Sequence, residues 1–221
     1  MFVCVMMNSI AHARRSSPAV RQRIRYNTNM KLLSDQVSER EIQIILRELA
    51  TTTAVEGDVV EFGCYVGTTS VHLAKALQSS QKRLYLYDSF AGLPEKRTED
   101  MSPAGEQFKT GELLASKKEL IRNLKQTGVP MPRIKKAWFS ELTSDEVPHE
   151  ISFAFLDGDY YDSVRDPLRL IWPYLSACAV VVVDDYANEA LPGAAKAVDE
   201  WRRTHELRAF QVEASLAIMK L

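Results

Sequence analysis

Asp58-Val-Val-Glu-Phe-Gly63-Cys-Tyr-Val-Gly67-Thr-Thr69 is the stretch on which the fold turns. Its first half is an apolar run closed by glycine, which reads as a buried strand, and from Thr68 to Leu77 the apolar spacing becomes that of a helix. A strand entering a helix through a glycine-containing turn is the opening unit of a βαβ sheet. A second strand, Arg83-Leu-Tyr-Leu-Tyr-Asp88, follows and continues the pattern.

Outward from this unit, Ser38 and Glu41 form a capping box before Ile42, Ile45, Leu46 and Leu49, which predicts an amphipathic helix over about 38–49. Residues 89–115 carry glycine, proline, serine, threonine and charges without period, a loop longer than a compact domain tolerates unless it covers a ligand. Ser116 and Glu119 begin another helix, which runs to Thr127 and stops at Gly128-Val-Pro130. Arg133–Phe139, Ile151–Asp157 and Ala177–Asp184 read as three further strands, and the valines from Val180 to Val183 suit a strand covered on both faces. Between the last two lies a helix with Val164, Leu168, Ile171 and Leu175 on one face. Another runs from Ala194 to Arg203, and Arg208–Val212 and Ser215–Met219 look like two short antiparallel strands. Strands alternating with helices predict an open doubly wound α/β sheet.

The 221 residues, 46% hydrophobic and 26% charged, have the balance of a globular chain of one domain, which excludes long disorder and disulfide scaffolds. Twenty-eight basic against 29 acidic side chains give a net charge of -1, so no global field draws the chain to nucleic acid or to an anionic membrane. The three cysteines, Cys4, Cys64 and Cys178, are scattered without a CxxC pair, which fits a reducing, cytoplasmic setting and excludes a thiolate metal cluster. No apolar run approaches the 18 or so residues of a membrane span. Residues 1–30 read as a disordered leader or an overlong gene start, with Met30 a candidate beginning. Ala11-His12-Ala13 imitates a signal-peptidase site, but the stretch before it lacks the positive charge and the apolar length of a secretion signal. Residues 31–221 form the single domain, for which a homodimer is an open arrangement.

In an open α/β sheet the ligand lies beyond the carboxyl ends of the strands, so acids there are the residues to weigh. Glu61 and Gly63 close the first strand, Asp88 the second, Asp157 and Asp159 the fourth, Asp184 and Asp185 the fifth. The turn Gly63-Cys64-Tyr-Val-Gly67-Thr68 lets backbone approach a ligand while the helix after it offers free N–H groups. A dinucleotide fingerprint needs two more glycines than it has, which lowers the NAD reading. An acid two residues before the first glycine instead suits an ammonium group, and Asp88 suits ribose hydroxyls. Together they describe S-adenosylmethionine. Farther on, Asp157, Asp159, Asp162, Asp184 and Asp185 crowd two strand ends beside apolar runs. Such carboxylates imply a cation between them, and with no histidine or cysteine nearby a magnesium or manganese ion fits better than zinc.

Asp88-Ser-Phe-Ala-Gly-Leu-Pro-Glu95, Leu156-Asp-Gly-Asp-Tyr-Tyr-Asp-Ser163, Val183-Asp-Asp-Tyr186 and Pro192-Gly-Ala-Ala-Lys-Ala-Val-Asp-Glu-Trp201 resemble the macrocin O-methyltransferase family in the same order, over roughly residues 57–203. The resemblance implies a Rossmann-like class I methyltransferase fold: a seven-stranded, mostly parallel sheet with helices on both faces and an antiparallel last strand. It implies methyl transfer from S-adenosylmethionine to a sugar hydroxyl with magnesium. By position it makes Asp157, Asp184 and Asp185 the metal ligands and Asp159 the general base, with Glu61, Gly63, Asp88 and Ser89 on the cofactor. Ala137 and the Ala177-Cys178 pair stand where the family tends to have glycine. The acceptor, a small molecule carrying a hydroxyl, is a sugar or glycoside on this resemblance. A catechol-type enzyme acting on an aromatic diol, a nucleotide-binding module without catalysis and an NAD-linked oxidoreductase are the rivals. His72, His149 and His205 are assigned no catalytic role, and Lys117-Lys118 and Lys135-Lys136 read as solvated faces. Trp138, Tyr160 and Tyr161 suit either a ligand pocket or the core.

Overall fold

The computed structural model describes residues 32–105 and 107–221, so the expected leader over residues 1–30 lies outside the described residues. Among the described residues seven strands form one sheet: β1 (Asp58–Phe62), β2 (Leu84–Asp88), β3 (Arg133–Lys136), β4 (Ile151–Leu156), β5 (Leu175–Val183), β6 (Ala209–Glu213) and β7 (Leu216–Lys220). Their order is β3-β2-β1-β4-β5-β7-β6, and only β7 runs antiparallel to its neighbours. The helices are α1 (Glu39–Thr51), α2 (Thr68–Ala76), α3 (Lys117–Lys125), α4 (Tyr161–Ile171) and α5 (Pro192–Thr204).

Because side chains alternate along a strand, the register assigns each face its cover. Val60, Phe62, Ala154, Leu156, Val181 and Val183 pack with Val164, Leu168 and Ile171 of α4 and with Ala194, Ala197 and Val198 of α5. Val59, Phe153, Phe155, Val180 and Val182 point the other way and are equally buried, on the side where α1 meets β5 and α2 meets β2. The unbroken apolar runs of β4 and of the end of β5 therefore follow from burial on both faces.

The Ser38–Glu41 capping box forms as expected. The helix expected to carry Leu175 stops at Ile171. Pro173 lacks the N–H that a further turn needs, a short 3₁₀ turn spans Trp172–Tyr174, and Leu175 begins β5 instead. The third strand ends at Lys136 rather than Phe139, and the chain turns through Trp138 and Phe139 toward the sheet's carboxyl edge. Cys178 adopts φ 68°, a left-handed conformation that explains why glycine suits that stretch of β5. No described helix is long and apolar enough to cross a membrane.

Candidate active site

The strand order reverses between β1 and β4, and the chain opens there into a cavity of about 490 Å³, within the range of small-molecule sites. On the β1 side, Gly63 has φ 87°, and a β-carbon on it would meet the carbonyl oxygen of Asp157 at 1.8 Å. Only glycine lets the first turn lie against the end of β4. Asp88, at the end of β2, then fixes this turn: its Oδ2 accepts the N–H groups of Cys64 (2.8 Å) and Tyr65 (3.1 Å), and its Oδ1 that of Phe90 (2.6 Å). Of the four or so lone-pair positions of a carboxylate, about one is left for a ribose hydroxyl. Asp88 is therefore more of a brace than the sequence implied.

Across the cavity, carboxylate oxygens of Asp157, Asp159 and Asp185 lie within 4.8 Å of one another. Asp159 (φ 60°) and Asp185 (φ 58°) both sit in the left-handed region, a strained placement that aims short acidic side chains where regular backbone would not. Burial, and then the neighbouring acids Asp184, Asp159, Asp185 and Glu61, push the Asp157 carboxyl well above its ordinary range. Asp159 is raised by burial and by Asp185, Asp184 and Asp88. Asp185 is raised chiefly by burial, against the Asn188 amide that donates to its Oδ1 at 2.9 Å. Acids that no described cation compensates, with oxygen donors only, are a donor set that fits a hard divalent ion.

Asp184 stands behind this group. It is 6% exposed and does not line the cavity, and its Oδ1 accepts from the Asp185 N–H and from the Ser215 hydroxyl, both at 2.8 Å. Burial and then Asp185 push it up to about 7. The same Ser215 hydroxyl also meets Glu41 of α1, so one hydroxyl group lies between two carboxyls. Glu61 is 1% exposed and likewise off the cavity wall; burial, then the Asp88 charge, lift it to about 8 although Ser70 nearby favours its ionised form. Its Oε2 and the Ser70 Oγ make no hydrogen bond of good geometry, so the turn contains an orphaned buried acceptor that a ligand ammonium or a bridging water would satisfy.

Of the residues expected at the site, Gly63, Asp88, Ser89, Asp157, Asp159 and Asp185 line the cavity. Cys64, Gly67 and Thr68 do not: Cys64 is buried, Gly67 packs against Leu120, and the Thr68 hydroxyl bonds to that of Ser34. Their contribution is the shape of the turn. The long loop over 89–115 does cover the cavity. Leu93, Phe108 and Leu113 pack with Tyr160 and Leu191, and the buried Asp100 accepts the Tyr161 N–H at 2.7 Å, fastening the loop to α4. Arg97, Asp162, Arg165 and Asp166 also line the cavity and were not singled out together from sequence. For Asp162, Arg165 and Asp166 the available signal was the first two turns of a helix that follows a strand-end crevice, and Arg97 of the loop had none. Trp138 lines the wall, 36% exposed, so the pocket reading of that residue holds over the core reading.

Sheet order, glycine turn and a cavity at the strand ends are those of the class I methyltransferase fold. Within that class the chain belongs to the macrocin O-methyltransferase (TylF) family, which it matches over residues 36–214. It is 30% identical over 152 residues to the 8-demethyl-8-(2,3-dimethoxy-alpha-L-rhamnosyl)-tetracenomycin-C 4'-O-methyltransferase of Streptomyces olivaceus, covering 65% of this chain and 58% of that one. It is 29% identical over 170 residues to the mycinamicin III 3''-O-methyltransferase of Micromonospora griseorubida, covering 72% and 65%. The chain thus spans less than two thirds of the length of these curated relatives. Its fold is that of the O-methyltransferase NovP, with a TM-score of 0.65 at 23% identity over 82% of this chain and 78% of the other.

Proposed function

We propose that this chain transfers a methyl group from S-adenosylmethionine to a hydroxyl of a sugar or glycosylated small molecule, with a divalent ion, magnesium or manganese, and in the cytoplasm. The observation that carries the reading is the convergence, in a chain of this family, of the Gly63 turn, Asp88 and the three close carboxylates on one cavity. When bound, the cofactor supplies the methyl group on a sulfonium and the ion supplies positive charge beside the acceptor oxygens.

The chain's residues do the rest. Gly63 admits the cofactor against bare backbone, Asp88 and Ser89 receive its ribose, and Glu61 offers a negative charge beneath its amino-acid end. Asp157 and Asp185 would hold the ion, with Asp184 as a third ligand through the oxygen that Ser215 does not engage. Asp159 takes the acceptor's proton at its carboxylate, beside those ligands, as the oxygen acquires the methyl group. The loop over 89–115 excludes water and holds the acceptor in line.

Methyl transfer from labelled S-adenosylmethionine to a panel of glycosides, run with magnesium and with excess EDTA, tests this. Product with magnesium and none with EDTA is expected. Stabilisation by NAD with no response to S-adenosylhomocysteine would defeat the cofactor assignment, and full turnover in EDTA the metal one.

A further inference from the structure

Asp100 ends a short 3₁₀ turn, Thr98–Asp100, within the loop over 89–115 and is 2% exposed, whereas Glu95 and Glu112 of the same loop face water. A carboxylate leaves water only where N–H groups take its place. Here its Oδ1 accepts the Tyr161 N–H at 2.7 Å and its Oδ2 that of Arg97 at 2.9 Å. Tyr161 is the first residue of α4, and Tyr160 before it supplies no side-chain cap. The loop therefore caps this helix from outside, with a carboxylate at the end where the helix dipole favours it.

The start of α5 closes on the same oxygen. A β-carbon on Gly193 would stand 1.9 Å from Asp100 Oδ1 and 2.7 Å from the Tyr161 nitrogen, and Gly193 lacks the left-handed φ that would otherwise call for glycine. Its missing side chain is what lets loop, α4 and α5 meet. Both helices lead back to the acids of the cavity. Tyr161 is two residues beyond Asp159, and the turn before it packs so closely on α4 that a β-carbon on Gly158 would lie 2.5 Å from the Ser163 carbonyl oxygen. On the other side the Leu191 N–H bonds to the Asn188 carbonyl at 3.0 Å, and the Asn188 amide holds Asp185. Two ion pairs also join the loop to the helices, Arg97 with Asp162 and Lys196 with Glu99 at 3.4 Å. Both are partly open to solvent, where such pairs hold weakly, so the buried Asp100 contact fixes the geometry.

We infer that Asp100 is a positioning residue: by bridging the loop to the first turns of α4 and α5 it sets where Asp159 stands, so docking of the loop and placement of that acid are one event. The inference rests on the methyltransferase reading for what Asp159 does there. Asp100 does not itself line the cavity and acts through the backbone at Tyr161. A left-handed φ of 60° at Asp159 persists only where its neighbours over-determine it, and freeing the Tyr161 N–H removes one of those constraints.

The test compares the wild-type chain with Asp100→Ala and Asp100→Asn in amide hydrogen exchange and in methyl transfer to 4-nitrophenyl rhamnoside with magnesium. Asp100→Ala should speed exchange over residues 158–160 at least about tenfold and leave residues 63–67 as they are. Its kcat should fall roughly ten- to a hundredfold while S-adenosylhomocysteine affinity stays within about twofold. Asp100→Asn keeps an oxygen for the Tyr161 N–H and should restore most of both. Gly193→Ala presses on the same oxygen with the carboxylate intact; it should lower kcat in the same way, and less so once Asp100 is alanine. Should Asp100→Ala fail to fold, Gly193→Ala carries the comparison. Unchanged exchange at 158–160, or a lower melting temperature with kcat intact, overturns the inference. If the wild-type chain methylates nothing, the methyltransferase reading fails on that assay, while exchange still decides whether Asp100 holds the turn that carries Asp159.

Discussion

A β-carbon on Gly63 would stand 1.8 Å from the carbonyl oxygen of Asp157, so the glycine turn after β1 and the acidic end of β4 touch backbone to backbone. The two halves of the site are thus one mechanical unit. Gly63→Ala must move one of them and also strains a backbone at φ 87°. It should destabilise the fold by about 1–3 kcal/mol or more and weaken both S-adenosylhomocysteine and magnesium. Gly128→Ala is the control, since its φ of 69° is also left-handed but its added carbon meets nothing within 4 Å. Thermal unfolding and ligand titration of both variants check this; equal losses in the two would refute the coupling.

The crowded acids set a pH dependence. Asp184 is lifted from 3.8 to about 7, and Asp157 and Asp159 are lifted by burial and by one another. An acid with a raised folded pKa binds more protons folded than unfolded between its two values, so its contribution to stability falls as pH rises from about 4 toward 7 and beyond. A divalent ion removes that penalty and requires the ionised forms. Magnesium should therefore raise the melting temperature more at pH 8 than at pH 5.5. His72, whose pKa burial lowers, contributes with the opposite sign, but it is present with and without metal and cancels in the difference. A magnesium shift that is larger at the lower pH would contradict the assignment.

Much of this was legible in the sequence, for physical reasons. Runs such as Phe153–Leu156 and Val180–Val183 have no polar face to expose, so only a doubly covered sheet can hold them, and the acids following them had to lie at its carboxyl edge. What could not be read was direction. Consecutive residues leaving a strand point to opposite faces, so Asp184 gives its Oδ1 to Ser215 behind the cavity while Asp185 turns into it. Likewise the pairing of Arg97 with Asp162 joins a loop without period to the first turn of α4, and nothing local in either segment announces the other.

Asp88 has a double role that its mutation should reveal. Asp88→Ala removes the acceptor for three backbone N–H groups as well as the proposed ribose contact. The expected result is a stability loss of about 1–3 kcal/mol together with weaker S-adenosylhomocysteine binding. Calorimetry and thermal unfolding on the same sample separate the two, and an unchanged melting temperature would show that the turn holds without its brace.

Ser215 offers a route to the proposed metal site from outside the cavity. Its hydroxyl holds Asp184 at 2.8 Å, so Ser215→Ala leaves that carboxylate oriented by the Asp185 N–H alone. Magnesium affinity should fall by roughly tenfold, the usual effect of removing a partner that orients a ligand, with S-adenosylhomocysteine affinity unchanged. Unaltered magnesium titration would place Asp184 outside the metal's ligands.

The sharpest division lies between Asp157 and Asp159, two residues apart beyond β4 and both within the carboxylate group. Asp159 has φ 60°, which asparagine adopts readily, so Asp159→Asn removes the proton acceptor without disturbing the backbone. The rate should fall by roughly 10²- to 10⁴-fold, with cofactor and magnesium affinity almost unchanged. Asp157→Asn should instead raise the magnesium concentration needed for half-maximal activity, and excess metal should restore part of the rate. If both acids only shape the turn into α4, the two variants lose stability alike, about 0.5–2 kcal/mol, and neither loses chemistry selectively. A magnesium defect confined to the Asp159 variant would exchange the two roles, making Asp159 the ligand and leaving Asp157 to take the proton.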